Sequence, residues 1–414
     1  MTVRWNSGRL LAVLTARMRR GSLVLAFLLG AGAAVALLTF LGWEPFDVVR
    51  QKLRPETPHE SYTRSLLASG LSDTALAREW LDSSNRSLEN PVPLTAPFAE
   101  QALIDAARPL SLGYAVELRR GQAFTVQVQL DTDVPGRVFV DLFEPANEGA
   151  TERRAIASAR TGETSLSHEA RSSGRYVLRV QPELLRGGRV RVVSSPAPSL
   201  AFPVEGAQPQ SIRSVFGDPR DAGVRRHEGV DIFAPRGTPV VAATDGLVVR
   251  VGETARGGRT VWLLDPRRGI SIYYAHLDTQ HVSTGAIVRA GETLGTVGNT
   301  GNARTTPPHL HFGIYARGEG AIDPDAFIRP VAAAAPPPAL KASTLGGWAT
   351  ARRRAPLRAS PSPSGAIVGT LAPESAIRIE GALGGWVRTR VGDRESAFVE
   401  ARALEVRQSS ADGG

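Results

Sequence analysis

The chain has 414 residues, 42% hydrophobic and 21% charged, with no cysteine. Such a length suits two to four domains. The balance argues against disorder, and the missing thiols exclude a disulfide scaffold, an iron–sulfur protein, a cysteine nucleophile and a thiolate zinc site. The net charge of +9 raises nucleic acid as a partner, but Arg4, Arg9, Arg17, Arg19 and Arg20 supply five of those charges before residue 21. No later run joins clustered bases to stacking aromatics, so no nucleic acid is expected.

From Gly21 to Trp43 the sequence carries no charge. Twenty-three helical residues rise about 34 Å, enough for a hydrocarbon core of about 30 Å. The basic segment 1–20 before it, and Glu44 and Asp47 after it, predict a signal-anchor with a cytoplasmic N-terminus and everything after residue 43 outside. A cleaved signal peptide is the competing reading, because Ala31 to Ala34 are small. The apolar run continues through Leu37, Leu38, Phe40 and Leu41, beyond such a site. Either way the remainder is exported, to the periplasm or another extracytoplasmic space.

Residues 44–100 predict a juxtamembrane helical segment. Ser72 is a plausible N-cap before Thr74–Leu88, with Leu76 and Trp80 one turn apart, and Pro91, Pro93 and Pro97 end helical structure. Between 101 and 205 the period becomes two. Phe124, Val126, Val128 and Leu130 alternate with Thr125, Gln127 and Gln129, and Val138, Val140 and Leu142 repeat the pattern. Short strands between turns predict an antiparallel β-sandwich. It is similar to the pre-peptidase sandwich domains of secreted bacterial proteases, and a spacer or docking role for envelope partners is its plain reading.

Residues 206–330 form the next unit, closed by an Ala/Pro linker over 331–347. Residues 348–405 are strand-rich. The Pro356-Leu357-Arg358 opening and the Gly385-Trp386-Val387-Arg388 strand resemble bacterial Src-homology-3-like barrels, which implies a small C-terminal barrel. The polar tail 406–414 is expected to lack structure. The fold class is thus mainly β: a transmembrane helix, a short helical segment, a β-sandwich, a β-sheet domain and a small barrel.

Five of the seven histidines fall between residues 227 and 311. His227 and Asp231 make an H-x-x-x-D pair in a strand entered through a turn, and an even separation puts both side chains on one face. His309 and His311 flank Leu310, so both imidazoles point the same way along a strand. His276 lies between these motifs in YYAHLD, and His281 is expected to be a bystander. A catalytic zinc takes three ligands from His, Asp or Glu and keeps one position open, which two histidines and one carboxylate satisfy.

H-x-x-x-D, then Y-x-H-L, then P-H-L-H-F, framed by FGDPRD, APRGTPVVAATDGLVV and AGETLGTVGNTGNA, resemble the lysostaphin/LytM-type zinc endopeptidases of peptidoglycan over residues 211–328. The resemblance implies one Zn2+ per chain on His227, Asp231 and His311, with His276 and His309 as non-ligating catalytic histidines. It further implies hydrolysis of peptide bonds in peptidoglycan stem peptides or cross-bridges. One histidine would move a proton from water to the leaving amine while the other steadies the oxyanion, and the sequence leaves open which does which. Activity is expected to fall below about pH 6, near the ordinary histidine pKa of about 6.5. Three rivals stand beside this reading. The first is a non-catalytic activator of a separate wall amidase, its cleft covered by the upstream domains. The second is a lipoyl-like secretion adaptor, which the five histidines disfavour. The third is a zinc hydrolase of an unrelated peptide.

Overall fold

The computed structural model describes residues 55–132, 134–144, 153–331, 334–392 and 395–407. The predicted transmembrane segment 21–43, the basic segment before it and most of the tail lie outside the described residues. Among the described residues no helix is long and apolar enough to cross a membrane.

Two helices, Pro58–Ala68 and Ala75–Glu89, come first. The cap is Thr74, whose hydroxyl accepts from Ala77 N. Ser72 does not fill that role, because Leu71–Asp73 closes a 3-10 turn that moves the helix start two residues on. The second helix buries Ala77, Trp80, Ser83, Ser84 and Ser87. It approaches the strand Leu112–Leu118 so closely that a Cβ at Gly113 would lie 1.9 Å from Ser87 O.

Strands from Val92 to Pro198 form the expected sandwich. One sheet runs Val92–Leu94, Leu112–Leu118, Gly174–Pro182, Val138–Phe143, Ala155–Ser158. The facing sheet holds Ala99–Ile104, Gly188–Pro198, Gln122–Asp131 and Ser165–Glu169. Phe124, Val126 and Val128 point into the core with Leu142, Leu178 and Val192, as their alternation predicts. In Val138–Phe143 and Gly174–Pro182 both faces are buried, because the helices cover the outer one. Trp80 Nε1 donates to Pro182 O (2.8 Å), Gln181 Nε2 donates to Trp80 O (2.9 Å), and Arg179 forks onto the buried Asp141.

The strand-rich C-terminal residues divide between two sheets. Trp348–Ala351 pairs with Ala376–Arg378 and Leu404–Val406. Gly381–Leu383 instead pairs with Ala99–Ile104 of the sandwich, so one sheet continues from the upstream module into the C-terminal one. No closed barrel is formed separately from the sandwich among the described residues. Across the seam Arg388 donates to Glu100 through Nε (2.6 Å) and Nη2 (2.9 Å), both side chains fully enclosed. Breaking such a buried pair from one side costs about 3–5 kcal/mol.

The central unit is a sheet in the order Ile212–Ser214, Val230–Phe233, His309–Ala316, Ile270–Gln280, Gly258–Asp265, Gly246–Thr254, Ile287–Val288, with Pro239–Val241, Thr293–Val297 and Gly320–Ile322 alongside. Val230, Ile232, Ile272, Tyr274, Leu310 and Phe312 fill one face and leave the other for chemistry. Arg268 pairs with Glu169 (2.9 Å) and Arg120 with Glu319 (2.6 Å), tying this unit to the sandwich.

His59 gives the fold a pH signature. Its ring stacks on Trp80 (4.9 Å) and its Nε2 meets Gln181 Oε1 at 2.8 Å. Burial, then the Arg179 charge, lowers its pKa from 6.5 to about 4, against the opposing pull of Asp141. An unfolded chain therefore takes up a proton between pH 6.5 and 4 that the folded one refuses. Stability present above 6.5 is lost as pH falls through that window, by about 2 kcal/mol between pH 7 and 5. Urea titrations at pH 7 and pH 5 should show that much more loss in the natural chain than in His59→Gln.

Candidate active site

The register of two strand pairs builds the site. Val230–Phe233 runs antiparallel to His309–Ala316 with Asp231 opposite His311 and Phe233 opposite His309. Ala275 lies opposite His311 on the other side. Side chains alternate, so Asp231, His309 and His311 share the face that Leu310 and Phe312 avoid. His227 enters from the turn before the strand. Gly229 allows the approach, since a Cβ there would lie 2.4 Å from Phe312 O and 2.9 Å from the His311 ring.

Three atoms converge. His227 Nε2, Asp231 Oδ1 and His311 Nδ1 are each 3.0 Å from the other two. His227 Nδ1 lies 2.9 Å from Val215 O, an acceptor, and therefore carries the proton. Its Nε2 presents a lone pair to a carboxylate oxygen and a second imidazole, an arrangement a cation relieves. A tetrahedral ion with ligands at about 2.0–2.1 Å needs donor atoms about 3.3 Å apart, so the triangle fits zinc with little movement. It is also the one cluster of His and acidic residues with metal-ligand spacing among the described residues. Burial opposes charge on Asp231. The nearness of His227 and His311 outweighs it and holds the carboxyl far below the usual range.

His276 and His309 sit beside the triangle, their rings 5.0 Å apart. His276 Nδ1 donates to Thr300 O (2.9 Å) and His309 Nδ1 to Pro307 O (2.9 Å), which leaves each Nε2 as a lone pair at the cleft. His276 is placed by a bulge: Arg259 faces Leu277 while Val261 faces Tyr274, one residue extra on the His276 strand. The extra residue takes φ +62°, a left-handed conformation that costs about 1–2 kcal/mol in a non-glycine residue. Burial, then the charges of His309 and His311, lowers His276 to about 4, and burial lowers His311 as well. His276 therefore stays neutral at pH 6, so the loss expected there from the ordinary histidine pKa does not come from it.

His281 is exposed, held by Thr279 Oγ1 at 3.0 Å, and stands outside the cluster, as expected. The FGDPRD segment delivers a further side chain to the site, one that its motif does not single out. Arg220 Nη2 donates to Asp231 Oδ2 (2.8 Å) and to Ser214 Oγ (2.6 Å), fixing the carboxylate with Oδ1 turned to the histidines. No local pattern announces this contact, because Arg220 lies eleven residues before Asp231 in the sequence.

The cleft over these groups encloses about 440 Å³, and its lining residues all fall between Ser214 and Tyr315. Residues 225–324 match the family described as Peptidase family M23. This part of the chain is an M23 metallopeptidase domain. Among curated relatives, an L-Ala–D-Glu endopeptidase of Bacillus subtilis is 39% identical over 31% of the chain and 43% of its own length. A peptidoglycan DD-endopeptidase of Vibrio cholerae is 29% identical over 54% of the chain and 47% of its own length. The chain thus spans less than half of these relatives. The solved catalytic domain of lysostaphin from Staphylococcus simulans is 31% identical, with 29% of this chain and 93% of that one covered, at a TM-score of 0.27.

Replacement separates ligand from catalytic histidine. His311→Ala should reduce bound zinc well below one per chain. His276→Ala should keep zinc and lose about 10²–10⁴ in rate. Metal analysis of dialysed protein beside hydrolysis assays checks both.

Proposed function

We propose that this protein is an exported zinc endopeptidase that hydrolyses peptide bonds in peptidoglycan stem peptides or cross-bridges, held to the membrane by residues 21–43. One observation carries the reading: three ligand atoms 3.0 Å apart beside two imidazoles whose Nε2 atoms are left open. The similarity to an L-Ala–D-Glu endopeptidase and to a peptidoglycan DD-endopeptidase supports the substrate. The anchor rests on the charge pattern around the apolar run alone.

His227, Asp231 and His311 would hold one zinc ion, and Arg220 would keep Asp231 oriented. When bound, the metal supplies Lewis acidity toward the scissile carbonyl and toward water. His276 and His309, each with its Nδ1 proton committed to a backbone carbonyl, present Nε2 to the reacting atoms. One accepts the proton of the attacking water and returns it to the leaving amine. The other faces the same cleft, placed to steady the oxyanion. The strand pairing keeps these groups preorganised.

Cover of the cleft by the upstream domains would suit the activator reading. The residues lining it all fall between Ser214 and Tyr315, none of them in the sandwich or the C-terminal strands, which favours catalysis. The C-terminal strands, akin by motif to bacterial Src-homology-3-like modules, would serve as a wall-binding or stabilising part. Zinc-loaded protein incubated with purified peptidoglycan should release muropeptides, identified by mass spectrometry, and a chelator should abolish the release. Intact peptidoglycan despite stoichiometric zinc would return the activator reading.

A further inference from the structure

The charge of the cleft has a direction. Its basic lining residues are Arg220, Arg225 and Arg256. Arg220 is committed to Asp231 and Ser214, and its hairpin neighbour Arg225 is engaged as well. Arg256 differs, because it is exposed at the cleft and no carboxylate pairs with it among the described residues. Glu228, the acidic neighbour in the same cleft, accepts from the Tyr315 hydroxyl (3.1 Å).

The backbone beneath Arg256 is fixed. Its carbonyl accepts from Asn302 N (3.0 Å). The adjoining Gly257 donates to Thr254 Oγ1 (2.9 Å), and its carbonyl accepts from His276 N (2.8 Å). The guanidinium therefore leaves a rigid turn joined directly to a histidine proposed to move the proton. Sheet order separates the two arginines: the turn carrying Arg256 joins the strands beyond His276, and the hairpin carrying Arg220 belongs to the His227 edge. A peptide lying across the site meets a neutralised arginine at one wall and an uncompensated one at the other.

An uncompensated guanidinium in a half-enclosed cleft attracts carboxylates and binds them in a planar fork. We propose that Arg256 binds a carboxylate carried by the substrate on the His276 side of the bond being cut. The enzyme is thereby selective for anionic stem peptides over neutral glycine-type bridges. This rests on the endopeptidase reading and adds the class of peptide to it.

The test uses the full zinc-loaded chain and three substrates: a synthetic stem peptide with free carboxyls, the same peptide with those carboxyls amidated, and pentaglycine. The natural protein should cleave the free-acid peptide with kcat/KM about tenfold above the amide, and pentaglycine least. Arg256→Gln should raise KM for the free-acid peptide about tenfold, with kcat and the amide's KM unchanged, and Arg256→Lys should restore part of the loss. Equal cleavage of acid and amide by the natural protein would overturn the proposal and leave the endopeptidase reading intact. So would a fall in kcat on both peptides alike in Arg256→Gln. No hydrolysis of any peptide would overturn both readings together.

Discussion

Lone pairs repel when they are brought together without a positive charge between them. The catalytic unit is arranged around such a meeting, with His227 Nε2, Asp231 Oδ1 and His311 Nδ1 each 3.0 Å from the others. Antiparallel pairing of Asp231 with His311 makes the meeting obligatory, because the register that buries Val230, Ile232, Leu310 and Phe312 turns both polar side chains to the same face. A slip of one residue would send them into the apolar core. Core packing and ligand geometry are therefore one constraint. The Val215 carbonyl that fixes the His227 tautomer and the Arg220 guanidinium that holds the second oxygen of Asp231 extend it outward.

The neighbouring histidines follow from the same sheet by a different device. His309 lies two residues from His311 on one strand, so alternation alone places it. His276 would point elsewhere on a regular strand. A bulge and a left-handed backbone bring it to the cleft. Local strain is thus concentrated at a position where it orients a side chain for chemistry, and the hydrogen bond from His276 N to Gly257 O links that residue to the turn bearing Arg256.

Much of this was legible in the residues. Alternation in Phe124–Leu130 reported the sandwich, and the spacing of His309 and His311 reported a shared face, because both depend on period two alone; His227 reaches that face from the turn before Val230–Phe233 and not by strand alternation. The conformation of His276 was not legible, since a bulge depends on the partner strand. The role of Arg220 is not legible locally, because it lies in a contact eleven residues away in sequence. Thr74 displaced Ser72 as the cap through a short turn that composition does not announce. The union of Gly381–Leu383 with Ala99–Ile104 joins segments about 280 residues apart, and no local pattern encodes a sheet shared between modules. The enclosed Glu100–Arg388 pair at that seam is equally invisible, because each partner reads as an ordinary surface charge until the other is known.

X-ray absorption at the zinc edge of the metal-loaded protein tests the central claim most directly. The account predicts one ion per chain with two imidazole nitrogens and one carboxylate oxygen in its inner shell, and the loss of one imidazole in His311→Ala if any zinc remains. A shell containing three or more imidazoles, or a shell unchanged by that substitution, would contradict it.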